Sequence, residues 1–179
     1  MQTPTSYNHT AIALHWLIAA LIVCAFTLGW VMTELAFSPL KLRMFNWHKW
    51  VGISILALAA IRTLWRLTHP APAMLPMPAW QRVAAHSLHG LLYLAMFCMP
   101  LSGWAYSNAS GYPIVYLGLI PLPDLVAKNR ELADALHEVH ETIGWILAVA
   151  IGLHVAAALK HHWVERDATL QRMLPFLRR

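Results

Sequence analysis

Near its C-terminal end the chain reads Leu136-His-Glu-Val-His140-Glu-Thr-Ile-Gly-Trp145-Ile-Leu-Ala-Val-Ala150-Ile-Gly-Leu-His154-Val-Ala-Ala-Ala-Leu-Lys160-His-His-Trp163. No charged residue lies between Ile143 and Leu159, and with the flanks Thr142 and Lys160 the run is long enough to span the roughly 30 Å hydrocarbon core of a bilayer. His140 and His154 stand fourteen residues apart. On an α-helix that spacing puts them on nearly one face and about 21 Å apart along the axis. One imidazole therefore lies near each side of the membrane. Ionisable groups inside a bilayer are costly and mark function by default, so the rest of the chain must supply partners for these two rings.

The 179 residues are 59% hydrophobic and only 12% charged, with a mean hydropathy of +0.51, far more apolar than a soluble domain. The size suits one unit, 1–179, in a multi-pass membrane protein. The start, Met-Gln-Thr-Pro-Thr-Ser-Tyr-Asn-His-Thr, has no basic segment followed by a small-residue cleavage site, so the first apolar run reads as retained rather than as a secretory signal. Cys24 and Cys98 both fall inside apolar runs, where they serve as packing residues, and no Cys-x-x-Cys-His motif for covalent haem attachment is present. The basic residues gather at helix ends, and no nucleic-acid partner is expected.

Four spanning helices are expected, at about 11–34, 45–67, 80–106 and 138–163, giving an all-α four-helix transmembrane bundle. His15 opens the first. The second must accept Lys49 at one end with Arg62 and Arg66 at the other, where their long side chains snorkel or pair with buried anions. Pro70, Pro72, Pro76 and Pro78 make an extended linker. The third carries His86 and His89 near its start, with Pro100 and Gly103 expected to kink its last turns. Residues 107–134 form the longest connection, expected to lie on the membrane surface as a partial cap. Four crossings leave both termini on one side. That side holds Arg62, Arg66, Arg82, Lys160, Arg166, Arg172, Arg178 and Arg179, against Lys41, Arg43, Lys49, Lys128 and Arg130 opposite. The positive-inside rule then places both termini in the cytoplasm.

Depth now pairs the histidines. The first helix starts where the fourth approaches the cytoplasm, so His15 can face His154; the second starts where the fourth leaves the outer surface, so His48 can face His140. Two bis-histidine pairs, one per leaflet, suit two stacked haems, because a low-spin electron-transfer haem takes two axial ligands and keeps no open position. Without an attachment motif these are two noncovalent haems b. No side chain is then needed as a catalytic acid, base or nucleophile. Several alternatives stay open. A single histidine near a helix end is commonly an interfacial residue. His86 or His89 competes with His15 for the inner position. Gly29, Gly52, Gly144 and Gly152 suit either a flat macrocycle or close helix packing.

The chain resembles the bacterial cytochrome b561 family, which shares its fold with the cytochrome b subunits of nickel hydrogenases and formate dehydrogenases. The resemblance runs over nearly the whole chain: Ala-Leu-His15-Trp, Trp-His48-Lys-Trp-Val-Gly-Ile, Ile-Arg62-x-x-Trp-Arg66-Leu, Ala-x-His86-x-x-His89, His140-Glu, and Ile-Gly-Leu-His154-x-Ala-Ala-Ala-Leu-Lys-His161-His162 leading into Asp167-x-Thr-Leu-x-Arg172-Met-x-Pro. It implies His15 with His154 on the inner haem and His48 with His140 on the outer one, in agreement with the depth argument. One member type oxidises superoxide at the outer face and passes the electrons to ubiquinone, in a bacterial inner membrane.

The reading that results is an oxidoreductase, a cytochrome expected to move electrons from periplasmic superoxide to ubiquinone. Two alternatives remain: a membrane anchor fed by a separate dehydrogenase, and a histidine-based metal or proton transporter. Arg62 and Arg66 are candidate partners for haem propionates or another anion. His161, His162 and Trp163, beyond His154, are candidates for a quinone site, since such a cluster can bond a carbonyl and relay protons; interfacial anchoring is the competing role. Lys41, Arg43, Lys49, Lys128 and Arg130 are candidates for steering an anionic donor, with lipid headgroup contact as the alternative.

Overall fold

In lipid the backbone finds no water to bond, so each spanning segment must close its hydrogen bonds on itself as a helix. The computed structural model describes residues 6–177. Among them α1 (His9–Glu34), α2 (Pro39–Thr68), α3 (Ala79–Ala109) and α4 (Arg130–Lys160) are long and apolar enough to cross a membrane. Polar caps start three of the four. The Ala11 N–H donates to Asn8 Oδ1 at 2.8 Å, the Lys41 N–H to Ser38 Oγ at 3.2 Å with Pro39 in the first turn, and the Leu132 N–H to Asn129 Oδ1 at 3.0 Å.

Every helix extends beyond the span expected from hydropathy at one end or both. The largest difference is at α4, which begins at Arg130 rather than 138. Hydropathy locates the part that fits the hydrocarbon, whereas the Asn129 cap and the polar turns carrying Glu131, Asp134 and Glu138 continue the helix into water. At its other end α4 loosens into a π turn, His161–Glu165, closed by Arg166 at φ 55°. Helix α3 continues through Pro100 to Ala109.

Ile18 of α1, Ala59 of α2 and Met96 of α3 form a small core, wrapped by Ile22, Leu58, Tyr93 and Phe97. Helix α4 joins through α3, where Gly144, Leu147 and Ala150 are buried and a Cβ on Gly144 would come 3.3 Å from Met99 Cε. That contact is close helix packing of the small-residue kind. Among the described residues α1 packs on α2, α2 on α3 and α3 on α4, while the backbone approach of α4 to α1 and α2 is at most marginal. Apolar side chains such as Val23, Leu64 and Val149 remain exposed around the outside, as lipid-facing surfaces are.

The connection before α4 caps one end of the bundle. Val115–Tyr116 pairs antiparallel with Ile120–Pro121 around a tight turn in which Leu117 and Gly118 both take positive φ. The hairpin is pinned to α2: Trp50 Nε1 donates to Val115 O at 2.8 Å, and the Ser54 and Tyr116 hydroxyls are 2.9 Å apart. Asn108, buried at the end of α3, donates to Asp124 and accepts from the Leu125 N–H at 3.0 Å. At the opposite end the segment after α4 folds back. Trp16 Nε1 donates to Met173 O at 2.8 Å and Arg172 Nη1 to Ala73 O at 2.6 Å, so the start of α1, the proline-rich linker and the final segment meet there.

Candidate cofactor site

The four histidines singled out by depth face each other in two pairs. His48 of α2 and His140 of α4 have ring centroids 6.2 Å apart and planes at 79°. His15 of α1 and His154 of α4 are also 6.2 Å apart, at 71°. Two imidazoles on opposite sides of one metal, each nitrogen about 2.0 Å from it, have centroids about 6 Å apart, so both pairs have the separation that one iron requires. All four rings are half-buried. They also bridge the side of the bundle where α4 stands off from α1 and α2.

The outer pair is oriented by backbone. His48 Nδ1 lies 3.0 Å from Ala25 O, and His140 Nδ1 lies 3.1 Å from Met99 O and 3.1 Å from Ser102 Oγ. A carbonyl oxygen only accepts, so Nδ1 carries the proton in both rings and Nε2 keeps its lone pair for a metal. Glycines make room for these rings. A Cβ on Gly29 would come 3.4 Å from His48 Cε1, and one on Gly103 only 2.8 Å from His140 Cε1. Gly103 therefore serves as the floor under His140, in a helix that continues through Pro100 to Ala109. Added Cβ atoms at Gly52 and Gly152 would meet nothing within 4 Å. Ser102, Met99 O and Ala25 O were not legible in the sequence, because nothing local marks a carbonyl or small residue as facing a ring on another helix.

The inner pair has a third neighbour, since the His89 ring lies 5.3 Å from His154 at 73°. Arg62, at the same depth, donates through Nη1 to Ala11 O at 2.9 Å and through Nε to the Tyr93 hydroxyl at 3.2 Å. It thus ties α1, α2 and α3 together and keeps one guanidinium nitrogen for another acceptor. Arg66 is exposed one turn further on.

The other candidates divide in the same way. Trp163 is 65% exposed, at an angle to His162 with ring centroids 6.3 Å apart. His161 instead turns Nδ1 to Glu165 and Asp167. Burial acts to raise Asp167, but the bonds from Thr169 and His161 outweigh it and hold the carboxyl below the usual range. On the capped end, Lys41 Nζ donates to Leu35 O at 2.7 Å and so closes the C-terminus of α1, and Lys49 lies 5.8 Å over the Tyr112 ring. Lys128 runs beside Gly111 along a cavity of about 300 Å³, and Arg43 and Arg130 are exposed. Six acidic residues share that end: Glu34, Asp124, Glu131, Asp134, Glu138 and Glu141. They outnumber its five cations.

Residues 6–176 match the family described as prokaryotic cytochrome b561. The chain is 35% identical to cytochrome b561 homolog 2 of Escherichia coli (strain K12) over 176 residues, which cover 96% of this chain and 93% of the relative. It is also 35% identical to the probable superoxide oxidase CybB of Yersinia pestis over 175 residues, covering 94% and 96%. Cytochrome b562 of Cereibacter sphaeroides is 26% identical over 181 residues, covering 97% and 98%.

Proposed function

We propose that this chain, which belongs to the prokaryotic cytochrome b561 family and is a haem b protein of electron transfer in the bacterial inner membrane, holds two haems b and carries electrons from periplasmic superoxide to ubiquinone. The observation that supports two is the repeated 6.2 Å separation of His15 from His154 and of His48 from His140. Haem b supplies a one-electron iron couple. The protein's part is to hold four imidazoles in two pairs, with the Nε2 lone pairs of His48 and His140 left free by their Nδ1 bonds, at two depths about 21 Å apart along α4, and to keep bulk water from the path between them. Arg62 offers its remaining N–H group to a propionate at the inner position. His162 and Trp163 border the quinone site at the termini's end, which faces the cytoplasm in this reading, while His161 is turned to Glu165 and Asp167. The overall change balances when two superoxide ions each release one electron as dioxygen, and one quinone gains two electrons and two protons.

Superoxide as the donor rests on the relative named a probable superoxide oxidase. A second reading has a specific observation behind it. The capped end of the bundle carries no excess of positive charge, and its hairpin presents Leu119, 80% exposed, which suits a protein donor docking there better than a small anion. The test mixes purified, haem-loaded protein with superoxide and a soluble quinone, with no other protein present. Quinol formation supports the first reading, and none moves the assignment to an anchor fed by a dehydrogenase. Stoichiometry is tested separately: His48→Ala should remove half the haem, as should His15→Ala, while His89→Ala keeps all of it. A folded His48→Ala variant with its full haem content refutes the pairing.

A further inference from the structure

Among the described residues Glu165 and Asp167 are the only acidic side chains at the end of the bundle where the termini lie. The same end carries Arg62, Arg66, Arg82, Arg166 and Arg172. Two acids in so basic a setting would be expected to pair with arginine. Among the described residues neither does: Glu165 pairs with Lys160, both carboxylates turn to His161, and Arg172 donates to a carbonyl of the proline-rich linker instead.

The contact with His161 is unusual. Its Nδ1 lies 2.6 Å from Glu165 Oε2 and 2.6 Å from Asp167 Oδ2. A single N–H cannot point along two such short lines, so a proton there satisfies one oxygen and leaves the other crowded. Meanwhile the second oxygen of each carboxylate is held from outside. Glu165 Oε1 accepts from Lys160 Nζ at 2.6 Å and from Gln81 Nε2 at 3.1 Å, and Asp167 Oδ1 accepts from the Thr169 N–H at 2.7 Å. Inner oxygens converging with an imidazole nitrogen, and outer oxygens fixed by donors, is how carboxylate ligands are oriented around a cation. The three ligand atoms lie within 4.8 Å of one another.

We propose that His161, Glu165 and Asp167 form a three-ligand site for a divalent cation of the zinc class. One imidazole and two carboxylates, with a fourth position for water, is a donor set that zinc accepts at about 2.0 to 2.2 Å per bond. Tetrahedral ligand atoms at those bond lengths sit about 3.3 to 3.6 Å apart, so the two short contacts open by roughly 0.7 to 1 Å, which rotation of the carboxylate side chains supplies. His161 and Glu165 come from the π turn and Asp167 from just beyond its left-handed close at Arg166. The cation therefore joins the end of α4 to the segment that folds back over α1. Lys160 is its competitor, since it neutralises the outer oxygen of Glu165.

The test uses the haem-loaded, chelator-washed protein in detergent, titrated with zinc chloride by calorimetry. One saturable site is expected in the parent. Asp167→Asn and, independently, Glu165→Gln should each weaken it by about 100-fold, with the visible haem spectrum unchanged as proof of fold. His69→Ala, which removes an exposed imidazole from the same end, should bind zinc as the parent does. Parental zinc affinity in both carboxylate variants, loss of binding in His69→Ala, or no saturable site in the parent overturns the proposal.

Discussion

A glycine and two carbonyl oxygens set how the rings of the outer pair stand. Gly103→Ala puts two effects in opposition. Alanine favours the helix by about 1 kcal/mol, but its Cβ would lie 2.8 Å from His140 Cε1, a separation that forces the ring aside. The clash should win at the site while the helix survives. The expected outcome is a folded protein with an altered or depleted outer haem spectrum, measured beside Gly90→Ala, whose Cβ meets nothing. Equal spectra from the two variants would remove Gly103 from the site. At this scale the sequence was partly legible. Spacing along α4 and the direction of each helix bring His15 to His154 and His48 to His140, because depth in a membrane follows from counting residues. Which nitrogen faces inward was not legible, since Ala25 O and Met99 O arrive from other helices.

Among the elements, the apolar stretches announced themselves and their ends did not. Hydropathy reports where a helix is dry; α4 continues through Glu131 and Asp134 because Asn129 caps it, and the cap and hairpin depend on side chains such as Trp50 and Asn108 meeting distant backbone. The folded-back C-terminal segment was likewise hidden, being polar and basic in composition yet held by one indole and one guanidinium. That hold is testable. Trp16→Phe keeps the ring and removes the donor to Met173 O, a loss of about 1 kcal/mol for one hydrogen bond. Hydrogen exchange over residues 167–177 should quicken several-fold, with haem content retained. Unchanged exchange would mean that Arg172 and the Asp167 cluster hold the segment without Trp16.

For the whole molecule, charge is the property that differs most between the two ends. The end with the termini carries eight basic residues against Glu165 and Asp167, and the capped end five against six acidic ones. The first imbalance favours a cytoplasmic location under the positive-inside rule, and a C-terminal reporter should be active only in that compartment. The near balance at the capped end means that an anion feels no attraction from it as a whole, so under the proposed superoxide reading steering would be local to Lys49, next to His48 in the chain. Reduction by superoxide should therefore slow only a few-fold from low salt to 0.1 M, where the Debye length is about 10 Å, and Lys49→Glu should slow it more than Arg130→Glu. A rate indifferent to salt and to both reversals favours the protein-donor reading. One feature of the packing also matters before any electron moves. Helix α4 makes at most marginal backbone contact with α1 and α2, and the paired imidazoles stand across that gap, so under the proposed di-haem reading haem iron would fasten that last seam. Prosthetic-group supply during biogenesis should then set how much protein accumulates: in haem-starved cells the seam between α4 and α1 with α2 is left open to membrane quality-control proteases, and abundance should track haem synthesis rather than transcription.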